Sequence, residues 1–324
     1  METAKALCSA TEAILPPAVR LAVLLLGLVW LLLACGRALL AIYRATLRPA
    51  KRLSRYGEWA VVTGATDGIG RAMAEELARS GMRLVLLSRT QEKLEKLAEE
   101  LPTESRCVAV DFASANENDW DRVAKAIEDI EVGVLINNVG MSYPHAMYLN
   151  EVSVELETAL LRVNVVSCLR MCRIVIPGML KRRRGAIVNI GSAAGTVLPS
   201  DPLYSIYAGS KSFVDGFSRS LHTELKPFGI DVQLQAPLYV ATKMAKIRRP
   251  STTVPSPDQY ARAAVREIGY EPRTTPFFVH KLMWWFITLL PEFVVDSVRR
   301  DMCVSIRKRA IAKKHRQEAE AKKQ

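Results

Sequence analysis

The octapeptide Thr63-Gly64-Ala65-Thr66-Asp67-Gly68-Ile69-Gly70 stands between an apolar run, residues 59 to 63, and a stretch with apolar residues at helical spacing, residues 68 to 80. No other feature limits the fold as strongly. Glycines at these positions let a backbone turn sharply and approach a pyrophosphate, which the positive N-terminus of the following helix attracts. A plain strand-to-helix turn is set aside because this one opens a strand-and-helix series.

That series continues along the chain. Strands are predicted at 59 to 63, 83 to 88, 106 to 111, 133 to 137, 186 to 190 and 231 to 236. Helices are predicted at 68 to 80, 92 to 101, 120 to 130, 153 to 180, 204 to 226 and 258 to 268. Such alternation implies a parallel α/β sheet with helices on both faces. Beyond Pro237 the regularity weakens, and proline and threonine make residues 249 to 257 read as a mobile loop. There is no internal repeat and no separate second domain.

An apolar segment precedes this domain, with an uninterrupted core at residues 21 to 36. Sixteen helical residues cover about 24 Å, short of a ~30 Å hydrocarbon layer. Snorkelling by Arg20 and Arg37, and the apolar residues 38 to 43, supply the rest. A cleaved signal peptide is the alternative, but Lys5 lies far from the apolar core and a basic run follows it. The expected organisation is a leader at 1 to 17, a transmembrane anchor at 18 to 43, a basic linker at 44 to 56, a catalytic domain at 57 to 298 and a basic tail at 299 to 324. Excess positive charge after the anchor places the following domain in the cytosol.

The net charge of +12 is concentrated in that linker and tail. Beside an apolar anchor, basic segments fit anionic lipid headgroups. A nucleic-acid partner is rejected, since no aromatic residues interleave with the tail's charges. The six cysteines show no zinc spacing, and Cys168/Cys172 fall in an apolar helical stretch that predicts buried packing rather than redox chemistry. Residues 282 to 290, with Trp284 and Trp285, fit either a membrane interface or burial in a core or oligomer contact.

Chemistry concentrates at Ser192 and at Tyr207-Ala208-Gly209-Ser210-Lys211. A Tyr and a Lys four apart share a helix face, so an ammonium can lower the phenol's pKa from about 10 toward the working range. Tyr204 has Ala208 as its partner at that spacing, so only Tyr207 has the lysine. At the end of the second strand stand Ser88 and Arg89, where an NAD-selective site would hold an acid. With no carboxylate to repel a phosphate, and a guanidinium fork to pair with one, NADPH is the expected cofactor.

Together with Asn137-Asn138-Val139-Gly140, these motifs resemble the short-chain dehydrogenase/reductase family over roughly residues 57 to 242. The resemblance implies a Rossmann-type doubly wound sheet. It also implies that Asp111 contacts adenine, and that Gly64, Thr66, Asp67, Gly68, Ile69, Gly70, Ser88, Arg89, Asn138, Gly140, Val240 and Thr242 line the dinucleotide with Tyr207 and Lys211. Tyr207 would donate a proton to a ketone oxygen. Ser192 would hold the carbonyl, Lys211 the nicotinamide ribose, and Asn164 a water relay. Ser192 lies fifteen residues before Tyr207, where many family members have thirteen, so the intervening loop is expected to be two residues longer.

The segment 237 to 244, residues 269 to 273 and residues 305 to 309 carry the likeness further, to the very-long-chain 3-oxoacyl-CoA reductases of the endoplasmic reticulum, the plant 3-ketoacyl reductases above all. This implies reduction of a 3-oxoacyl-CoA in fatty-acid elongation, beside a condensing enzyme, a dehydratase and an enoyl reductase, with homo-oligomerisation open. A steroid ketone as substrate, or a catalytically silent scaffold, are the alternatives. Lys322 and Lys323 resemble a dilysine retrieval signal shifted by one position.

Overall fold

The structure is a computed structural model that describes residues 16 to 321. Most of the leader, with Lys5 and Cys8, and the lysines Lys322 and Lys323 lie outside the described residues. The chain divides into two compact units, Met1–Pro49 and Ala50–Gln324.

The first unit contains helix α1, Pro17–Thr46, which starts on a proline whose missing N–H costs a first turn nothing. Within its stretch Pro17–Arg44, an 18-residue window has a mean hydropathy of 2.5 and none of that window is buried. At 1.5 Å per residue those 28 residues reach about 42 Å. The helix continues through residues 38 to 43, so length is not a limit to crossing a membrane.

The second unit is built on a seven-stranded parallel sheet in the order β3-β2-β1-β4-β5-β6-β7. The strands are β1 Trp59–Thr63, β2 Arg83–Ser88, β3 Ser105–Ala109, β4 Val132–Asn137, β5 Gly185–Ile190, β6 Ile230–Gln235 and β7 Arg273–Thr274. Alternate strand residues enter two separate cores. Ala60, Val62, Leu84, Leu86, Val134 and Ile136 meet helices α2 (Gly68–Arg79), α3 (Gln91–Glu100) and α8 (Pro257–Arg266). Val61, Val85, Leu87, Leu135 and Ile187 meet α4 (Glu117–Lys125), α6 (Ser167–Arg182) and α7 (Ser205–Leu225) on the other face. Burial on both faces is why these strands read as continuous apolar runs. Strand order reverses between β1 and β4, which opens a crevice at their C-terminal ends.

Several expectations shift. β3 ends at Ala109, so Asp111 lies two residues beyond the strand, its carboxylate accepting from the Ala113 amide. The single helix expected at 153 to 180 is α5 (Val154–Leu161), a π-helical turn (Arg162–Val166) and α6, which runs on past Pro177. β7 is too short to leave a pattern. Residues 249 to 257 form an irregular loop with a Ser251/Val254 backbone turn, ended by Ser256 capping α8. The boundary expected at 298/299 falls inside one helix, α10, Glu292–Ala321. Before it comes α9, Phe278–Leu289, which makes a 120° bend with α10. Of the α9 residues His280 alone is fully buried, while Trp285 is 55% exposed, so the 282 to 290 segment is not part of this chain's core.

Candidate active site

The crevice begins at the glycine turn. Gly64 and Gly68 have φ of +64° and +55°, a region that costs a side chain strain. A methyl group on Gly70 would lie 2.2 Å from both the Gly64 carbonyl oxygen and Asn138 Nδ2. Absence of that methyl lets α2 start directly over the end of β1. Asp67 caps the helix by accepting from the Gly68 amide at 2.8 Å. Asn138 ties the next strand in, its side-chain amide donating to the carbonyls of Thr63 and Gly64 at 3.0 and 3.3 Å. Thr63 Oγ1 accepts from the Asn138 and Val139 amides at 3.0 Å each.

At the end of β2, Thr66 and Ser88 share a hydrogen bond at 2.7 Å. Arg89 next to them is exposed and takes no ion pair among the described residues. Thr242 follows β6 and lies over the turn, its methyl 3.3 Å from where a Cβ on Gly68 would stand. Val240 is buried in the core beneath, and Ile69 packs on the same cluster, so its backbone rather than its side chain faces the turn. These residues fit a dinucleotide: a bare turn, a helix N-terminus and an unpaired guanidinium beyond β2.

On the far side of β4, Tyr207 and Lys211 lie on the first turns of α7. Ser192, at the end of β5, faces the Tyr207 phenol and draws its pKa down. It also caps a short turn by accepting from the Ala194 amide at 3.2 Å. The two extra residues are thus absorbed in the loop, and Ser192 rather than Ala194 reaches the tyrosine. Lys211 is 5% exposed, and its ammonium donates to the Ile190 carbonyl at 2.9 Å.

Asn164 sits on the π-helical turn, where such turns often re-aim a functional side chain. Its Oδ1 accepts from the Met141 amide at 2.8 Å, and its Nδ2 donates to the Met141 carbonyl and to Ser210 Oγ at 3.0 Å each. Gly140 lies between the parts: a Cβ there would stand 3.4 Å from Asn164 Oδ1 and 3.5 Å from Lys211 Nζ. The structure therefore gathers Asn164, Ser192, Tyr207 and Lys211 beside Asn138 and Gly140. Asp111 lies at the outer end, beyond β3.

One electrostatic expectation reverses. Burial pushes the Tyr207 phenol above its ordinary value, with the Ser192 hydroxyl pulling the other way. The Lys211 ammonium, one turn on, keeps its hydrogen bond to the Ile190 carbonyl. Burial brings Lys211 itself down to about 8. The result is a phenol held in its protonated form, which is the form a proton donor needs.

Sequence reading missed the groups that hold the other wall. Arg299 of α10 pairs with Asp201 at 2.6 Å and donates to Tyr239 Oη at 2.8 Å. Asp201 belongs to the loop between Ser192 and Tyr207, and Tyr239 to the loop after β6. Burial opposes the Arg299 charge, yet Asp201 and Tyr239 hold it above the ordinary arginine value. No local pattern marks such a contact. A second buried set joins Asn137 to Asn189 and Asn189 to Ser218, each at 2.8 Å. Cys168 and Cys172 are free and buried beside it, as their apolar helix predicted.

A match to the short chain dehydrogenase family covers residues 58–252, and the chain belongs to that family. It is 48% identical to a very-long-chain 3-oxoacyl-CoA reductase-like protein of Arabidopsis thaliana, over 81% of this chain and 86% of that protein. It is 42% identical to the very-long-chain 3-oxoacyl-CoA reductase of Homo sapiens, over 78% of this chain and 81% of that one. Among solved structures, a short-chain dehydrogenase from Sphingobium yanoikuyae in complex with NADPH is similar with a TM-score of 0.61 at 29% identity, covering 75% of this chain and 94% of its own.

Proposed function

We propose that this chain reduces a very-long-chain 3-oxoacyl-CoA to the 3-hydroxyacyl-CoA with NADPH, anchored by α1 in the endoplasmic-reticulum membrane with its catalytic unit in the cytosol. The observation that carries the reading is the gathering of Ser192 and a half-buried Tyr207 at one end of the crevice, with Lys211 held on the Ile190 carbonyl and Asn164 on Ser210 behind them. The 42–48% identity to reductases named for this substrate gives it its acyl-CoA. A condensing enzyme would supply the 3-keto group, and a dehydratase and an enoyl reductase would take the product onward.

Bound NADPH supplies the hydride. Glycines 64, 68 and 70 admit its pyrophosphate to the N-terminus of α2, and Arg89 pairs with the 2'-phosphate. Thr66, Asp67, Ser88, Asn138, Val240 and Thr242 shape the remaining walls, and Asp111 meets adenine. Ser192 donates to the ketone oxygen and orients it. Tyr207 gives that oxygen its proton as the carbonyl carbon becomes tetrahedral. Lys211 holds the nicotinamide ribose, and Asn164 supports the water chain that returns a proton to Tyr207.

The test uses full-length protein in detergent, supplied with NADPH or NADH and with a long 3-oxoacyl-CoA or a steroid ketone. Turnover is expected with the thioester and NADPH. Tyr207→Phe is expected to lower kcat by about 10³-fold while NADPH binding, followed by nicotinamide fluorescence, is unchanged. Undiminished turnover in that variant would refute Tyr207 as the acid, and faster reduction of the steroid would overturn the substrate.

A further inference from the structure

Residues 243 to 249 (Lys243-Met244-Ala245-Lys246-Ile247-Arg248-Arg249) hold four cations and no acid. This run leaves the site directly after Thr242, over the glycine turn. Lys243 pairs with Asp67 at 2.6 Å. Lys246, Arg248 and Arg249 are exposed and form no ion pair among the described residues.

Lys246 reaches across the cleft to donate to the Pro144 carbonyl. Pro144 belongs to a segment fastened to the chain just before Tyr207. The Met147 amide donates to the Leu203 carbonyl at 3.0 Å, the Ile206 amide to Tyr143 Oη at 3.1 Å, and the Tyr143 and Tyr204 rings meet at 5.4 Å. Arg307 of α10 arrives at the same place, paired with Glu151 at 2.5 Å and 5.1 Å over the Tyr148 ring. His145, between them, is held below its ordinary value by burial and by the charges of Lys246, Arg307 and Lys314, against Glu151 alone. Two distant parts of the chain thus bring positive charge to one rim of the cleft.

Reduction of a keto group gives no reason for such a rim, and Arg89 already answers for the cofactor's extra phosphate. Lysines and arginines without carboxylate partners are groups that recognise phosphate esters. We infer that this rim, with Lys246, Arg248 and Arg249 at its centre, is a subsite for the phosphates of the coenzyme A end of the substrate, the acyl end lying toward Tyr207. The inference rests on the acyl-CoA reading above. Phospholipid headgroups offer the same chemistry, but a headgroup site has no reason to be fastened to the segments on either side of the tyrosine.

Arg248 and Arg249 form no hydrogen bond or ion pair among the described residues, so their reversal is the clean test. In full-length protein, Arg248→Glu/Arg249→Glu is expected to raise KM for a 3-oxoacyl-CoA about tenfold. Its kcat and its KM for NADPH are expected to stay unchanged. KM for the N-acetylcysteamine thioester of the same acyl chain, which has no phosphate, is also expected to stay unchanged. Lys246→Gln should show the same split more weakly, and added salt should raise wild-type KM for the CoA thioester alone. An equal rise for both thioesters, or none for either, would overturn the subsite. So would unchanged CoA kinetics with lost binding to anionic phospholipid vesicles, which would assign the cations to headgroups. Failure of the wild type to reduce either thioester would instead sink the reductase reading, and this inference with it.

Discussion

On the glycine-turn side of the cleft, backbones approach because side chains are missing. α2 rests on β1 through Gly70, and Asn138 spans the Gly64 turn from the adjacent strand. On the substrate side, charged side chains reach loops far away in sequence. Arg299 holds Asp201 from 98 residues away, Arg307 holds Glu151 from 156, and Arg273 donates to the Thr196 carbonyl from 77. One side is fixed by steric exclusion, the other by charged side chains that staple loops to a C-terminal helix. The first can change little without losing the cofactor, whereas the second can be rebuilt around a different substrate with the sheet intact.

The largest expected effect falls on the stapled side. Asp201 is 6% exposed and Arg299 9%, so Arg299→Met leaves a buried carboxylate without its partner. A loss of about 3 to 5 kcal/mol is expected in denaturant unfolding of the detergent-solubilised protein. Adding Asp201→Leu should recover most of it, since a matched apolar pair replaces a buried ion pair at small cost. A double variant no better than the single one would show that the pair does not hold the loops.

On the glycine side, Gly70→Ala is expected to cost about 3 kcal/mol, because the new methyl meets a backbone oxygen that cannot yield cheaply. Dinucleotide binding should fail with it. Gly216→Ala on α7 is the control: nothing lies within 4 Å of its Cβ position, and a helix interior favours alanine by about 1 kcal/mol. Equal behaviour of the two variants would remove the steric side of the contrast.

This difference also explains what could be read from residues alone. β1, α2 and β2 were legible within a residue, because period and glycine placement are local signals. The Tyr207/Lys211 pair was legible as one helical turn. Arg299 was read as the first residue of a basic tail suited to lipid headgroups, since a buried arginine and an exposed one look alike until the partner at Asp201 is placed. The π-helical turn at Asn164 left no mark in a continuous apolar helix. Ser192 was legible only through the strand it ends, as its distance to Tyr207 depends on a loop whose path no periodicity sets. Lys211 showed the limit of spacing as an argument: four residues put it on the right face, but its bond to the Ile190 carbonyl left no mark in the sequence.

Lys211 also provides the smallest effect, at the seam between the two sides. Burial lowers it from 10.5 to about 8 in the folded protein. The unfolded chain therefore binds this proton more tightly, and between those two values stability rises with pH. The desolvation cost is present in full below about pH 8 and fades as pH approaches 10.5. Lys211→Met never carries that cost. In cofactor-free protein its stability relative to wild type should accordingly be greatest near neutral pH and shrink by roughly 2 kcal/mol on going to pH 10, by the 1.36 kcal/mol that one pKa unit represents. Denaturant midpoints of the two proteins across that range measure the difference. A constant gap would mean that the ammonium is solvated through the mouth of the cleft and that Lys211 belongs to the open substrate side, not to the packed seam.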